Sequence, residues 1–186
     1  MALARVLLIA ATLAMLSGKA WALDLGLTPS HVYSLWTNIN RTVIECVNLT
    51  VKDTTIVSGV KAMATKKFTG KKPADVLALA LHVEGLWNTL RIQSDLPPTL
   101  QAIAPESMTT PTDVYLESSK ILASSVEWII GNTDSSHLVA GYFVRHTFKD
   151  KTPSDVYALV DLAQRRMQFA FDHSGLATQS GEGSGQ

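Results

Sequence analysis

Thr110-Pro111-Thr112-Asp113-Val114-Tyr115 and Thr152-Pro153-Ser154-Asp155-Val156-Tyr157 are two renderings of one six-residue opening. Looser versions stand upstream as Thr28-Pro29-Ser30-His31-Val32-Tyr33 and Lys72-Pro73-Ala74-Asp75-Val76-Leu77. Each reads as the start of a helix. A threonine side chain can accept from the exposed first-turn amides, and proline suits the first helical position because its missing N–H would have gone unsatisfied there. An aspartate three residues after the threonine completes a capping box and sits at the positive end of the helix dipole. His31 stands where the other units have aspartate and Lys72 where they have threonine, so the first and second units are expected to lose part of the cap.

The prolines fall 44, 38 and 42 residues apart, and a period of about 40 is the range of repeated helical units. Stepping from the shared valine by four and three residues gives a stripe at helical spacing. It reads Val32, Trp36, Ile39, Val43, Cys46 in the first unit and Val76, Ala80, Val83, Trp87, Leu90 in the second. In the fourth it reads Val156, Val160, Ala163, Met167, Ala170. The third places Ser118 and Ser125 among Val114, Ile121 and Trp128, with Tyr115, Leu122, Val126 and Ile129 as a second stripe. That pattern predicts a broadly buried helix whose serines admit a close neighbour. The sequence therefore predicts an all-α bundle of four long, proline-started helices, internally repeated, over units 28–50, 72–94, 110–131 and 152–173.

Shorter connecting helices are expected over 53–66, which carries Ile56, Val57, Val60 and Met63, and over 136–148, which carries Leu138, Val139, Tyr142 and Phe143. Ser94 to Thr110, with Pro97-Pro98 and Pro105, reads as a loop and as the natural hinge between two pseudo-equivalent halves.

The ends differ in kind from this middle. Arg5, an apolar run over 6–16 and Ala20-Trp21-Ala22 have the three parts of a signal peptide cleaved after Ala22. The run is too short for the roughly 20 apolar residues of a membrane-spanning helix. A periplasmic or secreted protein without a stable membrane anchor is the expectation, with 23–174 as one helical domain. The segment 175–186, rich in Gly and Ser, is too poor in apolar residues to order itself and is expected to be a flexible tail. Cleavage removes two of sixteen basic residues, Arg5 and Lys19, and none of the sixteen acidic ones, leaving a formal charge of −2. Such a balance does not favour nucleic acid, which selects clustered Lys and Arg. The run Lys66, Lys67, Lys71, Lys72 reads as a solvated loop. Cys46, the only cysteine, lies on an apolar stripe and is expected to be a buried thiol. Asn40-Arg41-Thr42 and Asn48-Leu49-Thr50 match the N-glycosylation acceptor pattern.

No catalytic or cofactor motif is present among the zinc-protease, haem-attachment, nucleophile-elbow, phosphate-loop and dinucleotide signatures. No catalytic residue, cofactor or metal is assigned. His31, His82, His137, His146 and His173 are the candidate ligands for a metal or haem carried in the bundle core, but no two share a helix at ligand spacing. A redox carrier or core enzyme is thus the alternative to a binding or scaffolding module of the cell envelope, with a small molecule or a protein as partner. The recurrent aromatic position, Tyr33, Tyr115 and Tyr157, is the candidate ligand or partner groove, since tyrosine combines an apolar ring with a polar tip. Trp36, Trp87 and Trp128 are expected in the core. Arg165 and Arg166, following Asp161, are expected to form surface ion pairs.

Overall fold

The computed structural model describes residues 25–99, 108–133 and 136–174. The segment read as a signal peptide, most of the proline-rich loop after Thr99 and the tail from 175 lie outside them. Among the described residues the chain is all-helical. Its elements are α1 (Pro29–Thr50), α2 (Thr54–Ala62), α3 (Pro73–Gln93), α4 (Pro111–Asn132), a 3-10 helix (Ser136–Tyr142) and α5 (Pro153–Ser174). No described helix is long and apolar enough to cross a membrane.

The four long helices start at the same end. Pro29, Pro73, Pro111 and Pro153, each with the valine three residues on, line one pinhole cavity of about 10 Å³ on the bundle axis. The helices are therefore parallel. They form a ring in which α1 and α3 each pack against both α4 and α5. Residues the same distance from their prolines share a height, because all four helices rise at about 1.5 Å per residue from a common end. Bulk is balanced within each layer. Trp36 shares its height with Ala80, Ser118 and Val160, and Trp87 with Ser125 and Met167. The stripe residues named from the sequence are buried, the serines of the third unit included, apart from Tyr115, which is half-buried.

Parallel packing gathers four positive helix ends, and each is met by a capping side chain. Asp113 accepts from the Thr110 N–H and hydroxyl at 2.7 and 2.8 Å, and Asp155 does the same for Thr152 at 2.8 and 2.7 Å. Backbone and hydroxyl donation from Thr152 holds the Asp155 carboxyl below its ordinary value. Asp75 accepts from the Lys72 N–H at 2.8 Å, so the second unit keeps the half of the box that needs no threonine. The first unit corrects the expectation for His31. Its Nδ1 lies 3.0 Å from the Thr28 N–H, and an imidazole nitrogen at this distance accepts as a carboxylate would.

Parallel helices also dictate the connections. A helix of 22 residues spans about 33 Å, and the chain must cover that length again before the next start. Ten extended residues at about 3.3 Å each suffice, which is what 63–72 and 143–152 supply. This is why α2 stops at Ala62 rather than near Lys66, and why the last connecting helix is a 3-10 segment ending at Tyr142. α2 packs on α1 and α5 through a second small cluster, Val47, Val51, Val60 and Ala170. The third return begins at Ser94 and is tethered along α3. Pro97 O accepts from Arg91 Nε at 2.8 Å, and Thr99 N–H donates to Asn88 at 2.8 Å.

Candidate functional site

Three features stand out once the bundle is built: the tyrosine positions, a buried arginine under α2, and a buried pair of glutamates between α3 and α4.

The tyrosines sit four residues after their prolines, facing outward between neighbouring helices, and the structure distributes them over different seams. Tyr157 is met edge-on by Phe68, ring centroids 4.9 Å apart, with Lys71 Nζ 4.3 Å above its ring. Tyr33 is met by Phe148 at 4.8 Å with Lys151 Nζ at 4.7 Å. In both cases the covering residues come from the return segment that enters the adjacent helix, five and two residues before its proline. The same segments anchor by a backbone N–H, Lys71 to Ser154 Oγ at 3.0 Å and Lys151 to Ser30 Oγ at 3.2 Å. Each turns at a residue with positive φ three before the proline, Gly70 at 70° and Asp150 at 56°. Lys71 of the basic run is thus held over an aromatic ring, while Lys66 and Lys67 line an open cavity of about 270 Å³ beside Tyr33.

Tyr115 is different. It lines a cavity of about 320 Å³ on the seam between α1 and α4, closed on one side by Leu25 and Leu27 and on the other by 143–146. Leu35 and Leu122 form its apolar wall, and His31, Ser34, Asn38, Arg145 and His146 supply polar atoms. The return segment is fixed there by two hydrogen bonds from opposite directions. Asn38 Nδ2 donates to Val144 O at 2.7 Å and His146 N–H donates to Ser34 Oγ at 2.9 Å. Asn38 Oδ1 also meets His146 Nε2 at 3.2 Å. Arg145 Nη2 lies 3.2 Å from His31 Nε2, and no carboxylate pairs with this guanidinium among the described residues. One neutral imidazole cannot accept at both nitrogens, so His31 serves either its helix cap or Arg145 at a given moment.

Arg166 corrects the surface expectation. Its neighbour Arg165 does pair with Asp161 at 2.8 Å, but Arg166 is buried. It donates to Asn40 Oδ1 at 2.9 Å and to the Val60 and Met63 carbonyls at 3.2 Å each. It thus clamps the C-terminal end of α2, where a cation is favoured. Burial, with the charge of Arg165, pulls its pKa below the ordinary arginine value. Asn40 completes the knot by donating to Trp36 O and Leu159 O at 3.0 and 2.9 Å. Its amide is committed inside the folded protein, so of the two glycosylation patterns only the one at Asn48 is exposed.

The glutamate pair was not legible at all. Glu84 of α3 and Glu117 of α4 are both fully buried and within hydrogen-bonding reach of each other. Glu84 Oε1 accepts from the Thr99 hydroxyl at 2.6 Å, and Glu117 Oε2 pairs with Lys120 at 3.0 Å. The other two oxygens, Glu84 Oε2 and Glu117 Oε1, find no donor. Burial pushes the Glu84 carboxyl above the usual carboxylate range, with the Glu117 charge acting in the same direction against the Thr99 hydrogen bond and Lys120. A proton held by Glu84 gives the pair the donor that two ionised carboxylates lack.

The remaining candidates fall in ordinary places. Cys46 is a free, buried thiol whose pKa burial drives upward. His82 is exposed, and His173 stacks on Phe169 at 4.1 Å. The His137 side chain lies outside the described ones. Among the described residues no three His, Cys, Asp or Glu side chains converge as a metal site would require. Trp36 and Trp128 use their indole N–H groups on Ser118 and Ser94, both at 2.9 Å. Protein-family models, curated proteins and solved structures were compared with the chain, and none matches.

Proposed function

We propose that the protein is an exported binding module of the cell envelope. It is built as one domain of four related helical units and released by cleavage after Ala22. Its ligand or partner meets the cavity beside Tyr115. The observation that carries this reading is the cavity itself. At about 320 Å³ it falls at the lower end of the roughly 300–1,000 Å³ range of small-molecule sites. It also has the composition of one, an apolar wall with a few convergent polar groups. Elsewhere the return segments lie against the helices, Phe68 and Lys71 on Tyr157 and Thr99 on Glu84 and Asn88.

Unity of the four units rests on the shared opening, the common helix polarity and the repeated tyrosine position. Export rests on the sequence of the first 22 residues. The test is isolation of the untagged protein from its own cells, fractionated, followed by native mass spectrometry with an absorption spectrum. A mass starting at Leu23 in the envelope or medium, with a retained small molecule or protein, is the expected result. A chain in the cytosol that still carries its first 22 residues would overturn export. A retained metal or chromophore would replace the binding reading with a redox carrier.

A further inference from the structure

The binding reading leaves the ligand's chemistry open, and the internal comparison of the tyrosine positions narrows it. Tyr33 and Tyr157 each receive a phenylalanine edge and a lysine ammonium from the segment that crosses them. The segment that crosses Tyr115 enters α1 and makes the same turn, with Gly26 at φ 65° three residues before Pro29. In the lysine position it carries Leu27. Among the described residues no phenylalanine edge and no lysine ammonium meets the Tyr115 ring as at Tyr33 and Tyr157; Tyr115 faces the cavity of about 320 Å³, whose rim also carries Phe143, His146 and Arg145. We propose that this cavity takes a small aromatic carboxylate, whose ring lies against Tyr115, Leu35 and Leu122 and whose carboxylate meets Arg145 at the rim.

Each part of such a ligand has a counterpart in the wall. The ring restores the aromatic contact that the other two tyrosines have from their own chain, an edge-on or offset pairing suited to Tyr115. Arg145 offers a planar fork of donors matched to a carboxylate, and its position at the exposed rim spares it a large desolvation cost. Ser34 accepts from His146 N–H and keeps its own hydroxyl proton to donate. His31, when it caps α1 through Nδ1, turns Nε2–H toward Arg145 and the same carboxylate. The volume limits the ligand to about one ring and a short chain.

The inference rests on the binding reading, and the experiment separates the two. The purified protein is titrated with 3-phenylpropionate, 3-phenylpropionamide and butyrate, with amide shifts mapped by heteronuclear NMR. The acid should perturb Ser34, Asn38, Tyr115, Arg145 and His146, and should bind at least about tenfold more tightly than either comparator, a gap of about 1.4 kcal/mol. Arg145→Gln should remove that advantage over the amide, and Tyr115→Leu the advantage over butyrate. Equal binding of acid and amide overturns the carboxylate, and equal binding of acid and butyrate overturns the aromatic ring. If none of the three binds here while natively isolated protein carries another molecule against these residues, the ligand class is wrong and the binding reading stands. If the native protein's ligand or partner lies elsewhere, both fall.

Discussion

Replacing Glu84 with glutamine should make the protein more stable at neutral pH, although it removes a charge-assisted hydrogen-bond acceptor from the core. The reason is the pair of orphan oxygens. In the native protein Glu84 Oε2 and Glu117 Oε1 face a site without donors, and each unsatisfied buried acceptor costs about 1–3 kcal/mol. A proton shared by the pair supplies a donor, but solution at neutral pH gives it up reluctantly. Holding it there costs about 1.4 kcal/mol for every unit by which the pH exceeds the group's folded pKa. In Glu84→Gln the new side-chain amide supplies a permanent donor to Glu117, and its carbonyl still accepts from Thr99. The expected gain is about 1–3 kcal/mol, or roughly 2–12 °C in melting temperature for a chain of this size.

The pH dependence fixes the sign. Because the Glu84 pKa is raised by folding, its favourable contribution is complete below the ordinary carboxylate value and is lost as pH rises through the folded value. The variant's advantage should therefore be largest at about pH 8 and shrink towards about pH 5. Urea unfolding of both proteins across that window measures it directly. Glu84→Leu is the control: it leaves the Thr99 hydroxyl only Asn88 Oδ1, at 2.9 Å, and Glu117 only Lys120, at 3.0 Å, provides no donor for Glu117 Oε1, and should destabilise at every pH. A glutamine variant less stable than the parent at high pH, or a difference flat with pH, would refute the shared proton.

Three further changes probe other joints. Asp155→Ala should cost about 0.5–2 kcal/mol through the lost cap. Because folding lowers this carboxyl's pKa, the cost should be present above the ordinary aspartate value and vanish as pH falls through the folded one, the opposite sign to Glu84. Trp36→Phe should cost about 2–4 kcal/mol, from lost ring volume and an orphaned Ser118, and adding Ser118→Ala should recover part of it in a double-mutant cycle followed by chemical denaturation. Arg166→Met should cost about 2–3 kcal/mol by stranding Asn40 Oδ1 and the carbonyls of Val60 and Met63; hydrogen exchange should show protection lost first over 54–62, and an even loss across the bundle would contradict the clamp.

What could be read from the sequence was local. Capping chemistry and apolar periodicity are written within one helix, so the four starts and the stripes from Val32 to Ala170 were legible. Helix polarity was not, because a stripe says which face is buried and not which way its neighbours run. The connections held the missing signal. They run over 51–72, 94–110 and 133–152, whereas antiparallel neighbours in a bundle need only about 2–8 residues. Connections of that length return the chain along a whole helix. Glu84, Glu117 and Arg166 escaped for a related reason. Each lies one position off its stripe, where periodicity assigns a solvated flank, and only a partner from another element decides otherwise.

The site was half legible for the same cause. A tyrosine four residues after each of three prolines is visible within each unit, but what covers it arrives from the segment before a different helix. Those segments have their own regularity, Phe68-Thr69-Gly70-Lys71 and Phe148-Lys149-Asp150-Lys151 at matching distances from Pro73 and Pro153. They extend the openings at Pro73 and Pro153 five residues upstream. They also mark the approach to Pro29 as the one where leucine replaces lysine at a tyrosine-bearing seam. The larger of the two cavities beside these tyrosines, about 320 Å³ against 270 Å³, lies where that covering pattern is broken, which is why a ligand is expected to supply what the chain there does not.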